Sequence, residues 1–220
     1  MTKAMGVFGG TFDPIHNGHL RTAFELLQVL ELEQVRFLPC ALPPHRDVPL
    51  ASAKDRLAMV EAAVASQAQF VADDRELHRD GPSYSVDTLE SLRAEFPDTP
   101  LCLIVGMDAF LGLVRWHRWQ RIFELAHVIV AHRPGWRVPR RGPLGLLIAE
   151  RGTRVARELH EQLAGLIFVH AVTQLEISST EIRDLVSAGR DPQFLLPDSV
   201  RNLIVGSACY AKTPDGGNTD

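Results

Sequence analysis

The sequence predicts an α/β protein with a doubly wound parallel sheet and helices on both faces. Three observations predict it. Short apolar runs of strand length alternate with helical periodicities from one end of the chain to the other. Glycines close the first and fourth of these runs, where a parallel sheet places its ligands. No linker is long enough to divide the 220 residues, a length suited to one well-buried core. The expectation is a Rossmann-like single domain over residues 1–210, followed by a polar, Gly-rich tail at 211–220 that predicts disorder.

The elements follow in order. Residues 4–8 read as a buried strand ending in Gly9-Gly10. From His19 onward, Leu20, Ala23, Phe24, Leu27 and Leu30 recur at helical spacing to about Leu32. Residues 35–38 form the second strand, closed by Pro39, and a proline-rich loop runs over 41–46. Ser52 with Asp55 predicts a capping box that opens a helix to Ala65. Residues 69–72 are a third strand; after the polar stretch 73–82, Ser85 is expected to cap a helix to Phe96. Residues 101–105 are the most strand-like run, with Gly106 at the carboxyl end. A helix at 116–125 and a strand at 128–131 precede a surface loop at 134–143. A helical stretch to about Leu163 leads to a strand at 166–170. Ser178 with Glu181 caps a helix to Ala188, and residues 198–205 form one more.

Composition narrows the function classes. Hydrophobic residues at 45% and charged residues at 23% are ordinary for a globular protein. The net charge of −4 gives no global field for nucleic acid, so phosphate recognition must be local. Cys40, Cys102 and Cys209 are widely spaced and odd in number, which predicts reduced thiols rather than a disulfide frame. With no signal-like or membrane-length apolar run, the expectation is a cytoplasmic protein without nucleic-acid or membrane partners. A homo-oligomer is compatible with the sequence, which does not define one.

The chemistry concentrates in Gly9-Gly-Thr-Phe-Asp-Pro-Ile-His-Asn-Gly-His19, between a strand and a helix. Gly9 and Gly10 lack Cβ atoms, so the backbone can turn and bring its N–H groups to an anion, with Thr11 and Phe12 beside them. The helix start adds unpaired N–H groups and the positive end of a dipole. His16 and His19, three apart, can point the same way, and Gly18 between them leaves room for a phosphate. Two imidazoles at one phosphate can neutralise charge as it spreads in a transition state. A zinc pair is disfavoured because no third ligand is evident, and no metal ligand is assigned. The segment is neither G-x-G-x-x-G nor a Walker A loop, so hydride transfer and P-loop hydrolysis are disfavoured.

A second element lies about 160 residues later, at Ile177-Ser-Ser-Thr-Glu-Ile-Arg183. Ser178, Ser179 and Thr180 place hydroxyls and N–H groups in a first helical turn. Arg183, one turn on, can grip a polyphosphate. Alone the segment reads as a plain capping box; paired with the first it supplies the other side of a nucleoside triphosphate.

The pair resembles the signature of the nucleotidyltransferase superfamily with the His-x-Gly-His motif. Pro43-Pro-His-Arg46, Glu76-Leu-His-Arg79, Pro82-Ser-Tyr-Ser85, Val105-Gly-Met-Asp108, Trp116-His117 and His132-Arg-Pro134 narrow the resemblance to bacterial nicotinate-nucleotide adenylyltransferases. The resemblance implies adenylyl transfer from ATP to nicotinic acid mononucleotide, giving the dinucleotide and pyrophosphate without a covalent enzyme intermediate. It places His16, His19 and Arg183 as catalytic groups. It places Gly9, Gly10, Thr11, Phe12, Gly18, Gly106, Asp108, Ile177, Ser178, Ser179 and Thr180 around ATP, with Asp108 at a ribose hydroxyl. On the acceptor side it implies His45 and Arg46 at the mononucleotide phosphate, Trp116 stacked on the pyridine, and backbone N–H groups near Ser85 and His117 at the carboxylate. Mg²⁺ is expected, bound mainly by the ATP phosphates.

Two departures stand out. His117 occupies a position where the family often has Tyr, and 134–143 has no clear family pattern. The alternatives are another superfamily member, such as phosphopantetheine adenylyltransferase or a cytidylyltransferase, and a nucleotide-sensing protein without catalysis.

Overall fold

Seven strands lie in one sheet, every pairing parallel, in the order β3-β2-β1-β4-β5-β7-β6. They are β1 Met5–Gly10, β2 Gln34–Pro39, β3 Phe70–Ala72, β4 Leu101–Gly106, β5 His127–His132, β6 Gly152–Thr153 and β7 Ile167–Ala171. The structure is a computed structural model that describes residues 2–43, 48–132, 139–173, 175–207 and 209–211. The helices are α1 Asn17–Val29, α2 Ala53–Val64, α3 Ser85–Glu95, α4 Met107–Leu111, α5 Trp119–Leu125, α6 Gly142–Arg151, α7 Glu158–Glu161, α8 Ser179–Ser187 and α9 Asp198–Ser207.

Strands buried on both faces read as continuous apolar runs, and here alternate residues serve two cores. Cys102, Ile104, Ile129 and Ala131 face a cluster shared with Ala23 and Leu26 of α1, Met59 and Val60 of α2, Ile182 of α8 and Val200 of α9. Met5, Val7, Leu103, Val105, Val128 and Val130 face the opposite cluster with Leu89 of α3, Phe110 of α4 and Ile122 of α5. The strand order reverses between β1 and β4, so the chain leaves these neighbours in opposite directions. That opens a crevice at their carboxyl ends, beside Gly10 and Gly106.

Local chemistry sets several boundaries. Ser52 Oγ accepts from the Asp55 N–H (3.1 Å), so the expected α2 cap forms. Ser178 Oγ does the same for Glu181 (3.1 Å) at α8. Ser85 does not cap α3: it is the first helical residue, and Tyr84 holds the cap position without a side-chain bond. The helix expected from Trp116 starts at Trp119, because Trp116 closes a 3₁₀ turn over Leu113–Arg115 and Arg118 takes a left-handed φ of 48°. The helical stretch expected to Leu163 is broken after α6. Gly152 and Thr153 pair with Ile167 and Phe168 instead, and a Cβ at Gly152 would lie 2.4 Å from the Ile148 carbonyl oxygen. Residues 134–138 of the loop expected at 134–143, and 212–220 of the expected tail, lie outside the described residues. Of that loop, Gly142 and Pro143 begin α6. Among the described residues, no helix is long and apolar enough to cross a membrane, and the three cysteines are free.

Candidate active site

Gly9 and Gly10 do not turn: both belong to β1, paired with Leu38 and Pro39 of β2. The turn lies in Thr11–Pro14, where Phe12 has a φ of 49° and the Asp13–Pro14 peptide is cis. A left-handed non-glycine backbone is costly and persists only where its surroundings hold it. Here the Phe12 ring is 2% exposed and packs edge-on against His19 (5.2 Å, 86°), and a Cβ on Gly10 would sit 3.0 Å from it. Gly10 is therefore small for the sake of Phe12. Gly9 is exposed, with nothing within 4 Å of an added Cβ.

Asp13 is a junction of this loop. Its buried carboxylate accepts from the Leu50 N–H (2.9 Å), the Ala51 N–H (3.1 Å) and the Tyr210 hydroxyl (2.7 Å). Burial and the neighbouring carboxylate push the Tyr210 phenol well above its ordinary range, so it stays a donor.

His16 and His19 do point the same way. Their rings stack with centroids 3.7 Å apart and planes 26° apart, and the His16 N–H donates to His19 Nδ1 (3.3 Å). That bond leaves the neutral His19 ring carrying its proton on Nε2. His16 is 6% exposed, and burial lowers its pKa to about 4. It is thus neutral at pH 7. Two imidazolium rings at this spacing would also repel strongly away from water. Gly18 also has a packing role. A Cβ there would meet His16 Cε1 and Nδ1 at 3.0 Å, so the glycine makes room for the ring. The α1 start is also less open than a bare helix end. The Asn17 N–H donates to Leu195 O (3.0 Å), and those of His19 and Leu20 reach the His16 carbonyl.

The second element meets the first. Ser179 Oγ donates to the Pro14 carbonyl (2.9 Å), and Arg183 Nη1 donates to the Asp13 carbonyl (2.8 Å), across 165 and 170 residues of sequence. Arg183 Nη2 also donates to Thr180 Oγ1 (3.2 Å), which fixes the guanidinium over the first turn of α8. Ser178 and Thr180 are exposed, and Ile177 is half-buried against the core beside α1. Across the crevice, Gly106 is exposed at the end of β4, and Asp108 is exposed in the first turn of α4.

Tyr84, Trp116 and His117, at or beside positions expected on the acceptor side, lie toward the other core. The His117 ring lies 4.5 Å from that of Tyr84, which precedes Ser85 at the start of α3. Trp116 is half-buried and, like Tyr84, packs against the second core. Behind them, Thr88 Oγ1 accepts from Arg79 Nη2 (2.7 Å) and donates to the buried Glu76 carboxylate (2.6 Å), whose pKa burial raises. Ser83 ties this segment to the loop after β2: its N–H donates to Leu42 O (2.9 Å) and its Oγ accepts from Ala41 N–H (3.0 Å). His45 and Arg46, expected at the acceptor phosphate, lie outside the described residues.

One residue escaped the sequence reading. Arg56 of α2 is 1% exposed, and its guanidinium is spent on main-chain carbonyls. Nη1 donates to Thr11 O (2.8 Å) and Cys40 O (2.7 Å), Nη2 to Ala41 O (3.3 Å) and Nε to Ala51 O (3.3 Å). The signal was present: Arg56 shares the buried stripe of α2 with Met59, Val60 and Ala63, an unusual place for a charge.

Residues 7–185 match the pattern of the cytidylyltransferase-like family. A probable nicotinate-nucleotide adenylyltransferase of Methylococcus capsulatus is 50% identical over 209 residues, 94% of this chain and 100% of that protein. The chain belongs to the nicotinate-nucleotide adenylyltransferase family. Another member, from Aeromonas salmonicida, is 46% identical over 96% of this chain and 99% of its own. The fold extends further than the sequence likeness. Plasmodium falciparum nicotinic acid mononucleotide adenylyltransferase, solved in complex with NaAD, superposes with a TM-score of 0.71 at 14% identity. That match covers 94% of this chain and 97% of the other.

Proposed function

We propose that the protein transfers the adenylyl group of ATP to nicotinic acid mononucleotide, forming the dinucleotide and pyrophosphate for NAD synthesis. The observation that carries this reading is the meeting of α8 with the His16–His19 loop at the β1–β4 crevice, through Ser179–Pro14 and Arg183–Asp13. The names of its relatives agree with it.

In this reading a phosphate oxygen of the mononucleotide attacks the α-phosphorus of ATP in line. The bond from that phosphorus to the oxygen bridging the α- and β-phosphates breaks, and pyrophosphate leaves with that oxygen. No group of the protein bonds covalently, so rate comes from positioning and charge stabilisation. His19 offers its Nε2 proton to the α-phosphate, while neutral His16 holds the ring in place by stacking. Arg183, Ser178 and Thr180 hold the β- and γ-phosphates at the start of α8. Asp108 faces a ribose hydroxyl. Trp116 lies against the pyridine ring, and the N–H groups at Ser85 and His117 meet its carboxylate. A Mg²⁺ ion would be held mainly by the ATP phosphates and would offset their charge. The nearest carboxylate of the loop, Asp13, is committed to three donors, and the described residues hold no group of three or more His, Cys, Asp or Glu placed for a metal. The donor set thus suits an ion carried by the phosphates.

The deciding experiment measures pyrophosphate release with nicotinic acid mononucleotide, nicotinamide mononucleotide and phosphopantetheine. The highest kcat/KM is expected with the first. A higher value with phosphopantetheine would reject the assignment, and ATP binding without turnover of any acceptor would favour a sensor.

A further inference from the structure

We propose that Arg56 is a positioning residue that clamps both stems of segment 40–51 to the nucleotide loop and so sets the distance between the two substrates. The inference rests on the function proposed above and adds a residue and a role to it.

The segment leaves β2 at Cys40 and enters α2 after Ser52, carrying His45 and Arg46 between its stems. One guanidinium touches both stems. At the outgoing stem it bonds the carbonyls of Cys40 and Ala41; at the returning stem it bonds that of Ala51. The same group holds Thr11 O, in the loop that leads to His16 and His19. Asp13 completes the returning clasp through the N–H groups of Leu50 and Ala51, and Ser83 completes the outgoing one through that of Ala41.

A planar fork with five donors can reach four carbonyls from a single buried point. Lysine has three donors at one atom and cannot span them. Methionine fills similar space and leaves the carbonyls unmatched. Among the described residues Arg56 has no carboxylate within ion-pair distance, so its charge is balanced by carbonyl dipoles of the two loops it joins. A bare structural bond would need no such reach. The arrangement ties the part of the chain expected at the acceptor's phosphate to the part expected at the α-phosphate. Displacements of about 1 Å between reacting groups lower rates by around a hundredfold.

The test compares wild type, Arg56→Lys and Arg56→Met. Melting and far-UV circular dichroism first establish that each is folded; Arg56→Lys serves where Arg56→Met is not. Amide hydrogen exchange, read without substrate, is expected to be at least about tenfold faster at Ala41, Leu50 and Ala51 in the variants, with the β4 and β5 amides unchanged. In turnover, kcat is expected to fall about a hundredfold in Arg56→Met and less in Arg56→Lys. KM for the mononucleotide should rise while KM for ATP stays within about threefold. Unchanged exchange at those three amides in a folded variant overturns the clamp. So does a lowered melting temperature with kcat and both KM values within twofold of wild type. The exchange result decides the clamp even if wild type fails to turn over the mononucleotide, an outcome that would remove the functional reading instead.

Discussion

The imidazole rings of His16 and His19 lie stacked, 3.7 Å apart, joined by a bond from the His16 backbone N–H to His19 Nδ1. This relationship divides the labour of the motif: the buried ring is held neutral and supports the other. Replacing His19 with Ala is expected to lower kcat about a thousandfold while the Kd for ATP stays within a few-fold, because the contact strengthens as the transition state forms. Single-turnover rates and titration calorimetry check it; equal losses in both would assign His19 a ground-state role.

The neutrality of His16 predicts a pH dependence. An unfolded imidazole takes a proton near pH 6.5, whereas the buried ring resists until about pH 4. Stability from this source is therefore intact above the unfolded value and is lost as pH falls through the window between the two. From pH 7 to pH 5 the loss is about 2 kcal/mol. Urea unfolding of wild type and His16→Gln at both pH values measures it. A wild-type advantage that does not shrink toward pH 5 would contradict the burial argument.

Gly18→Ala separates activity from stability. The added Cβ crowds His16 Cε1 and Nδ1 at 3.0 Å and shifts a ring already pinned by its stack. Alanine near a helix start also improves helix propensity by up to about 1 kcal/mol, which offsets the crowding. We expect kcat to drop at least about tenfold with a melting temperature close to that of wild type. Wild-type kcat would mean that the His16 ring tolerates displacement.

Tyr210→Phe removes the phenol's bond to the buried Asp13 carboxylate. A hydrogen bond to a charged group of this kind contributes about 2 kcal/mol. Urea unfolding at neutral pH should show that loss, and no change there would mean that the Leu50 and Ala51 N–H groups satisfy Asp13 by themselves.

Much of this molecule was legible from local patterns. The alternation of apolar runs with helical periodicity determined an α/β sheet, because strands buried on both faces and helices buried on one leave different spacings. The Ser52 and Ser178 caps were legible because a cap depends only on residues three apart. His16, His19 and Arg183 were legible because their residue types and spacing match a known signature. Their meeting through Pro14 and Asp13 required the sheet to bring residues 165 and 170 positions apart together.

Tertiary packing decided the rest. That Gly18 clears space for a ring depends on where His16 points, and burial of that ring sets its charge. The break after α6 came from pairing with β7, since a two-residue strand leaves no periodicity of its own. Arg56 showed only a charge on an apolar stripe; its partners come from three separate segments, and no local rule names them. Sequence alone thus determined most of the elements and singled out the segments expected to bind phosphate, because both rest on local patterns. The fold alone decided which of their groups are charged, spent or exposed, because desolvation and long-range hydrogen bonds exist only once the sheet has closed around them.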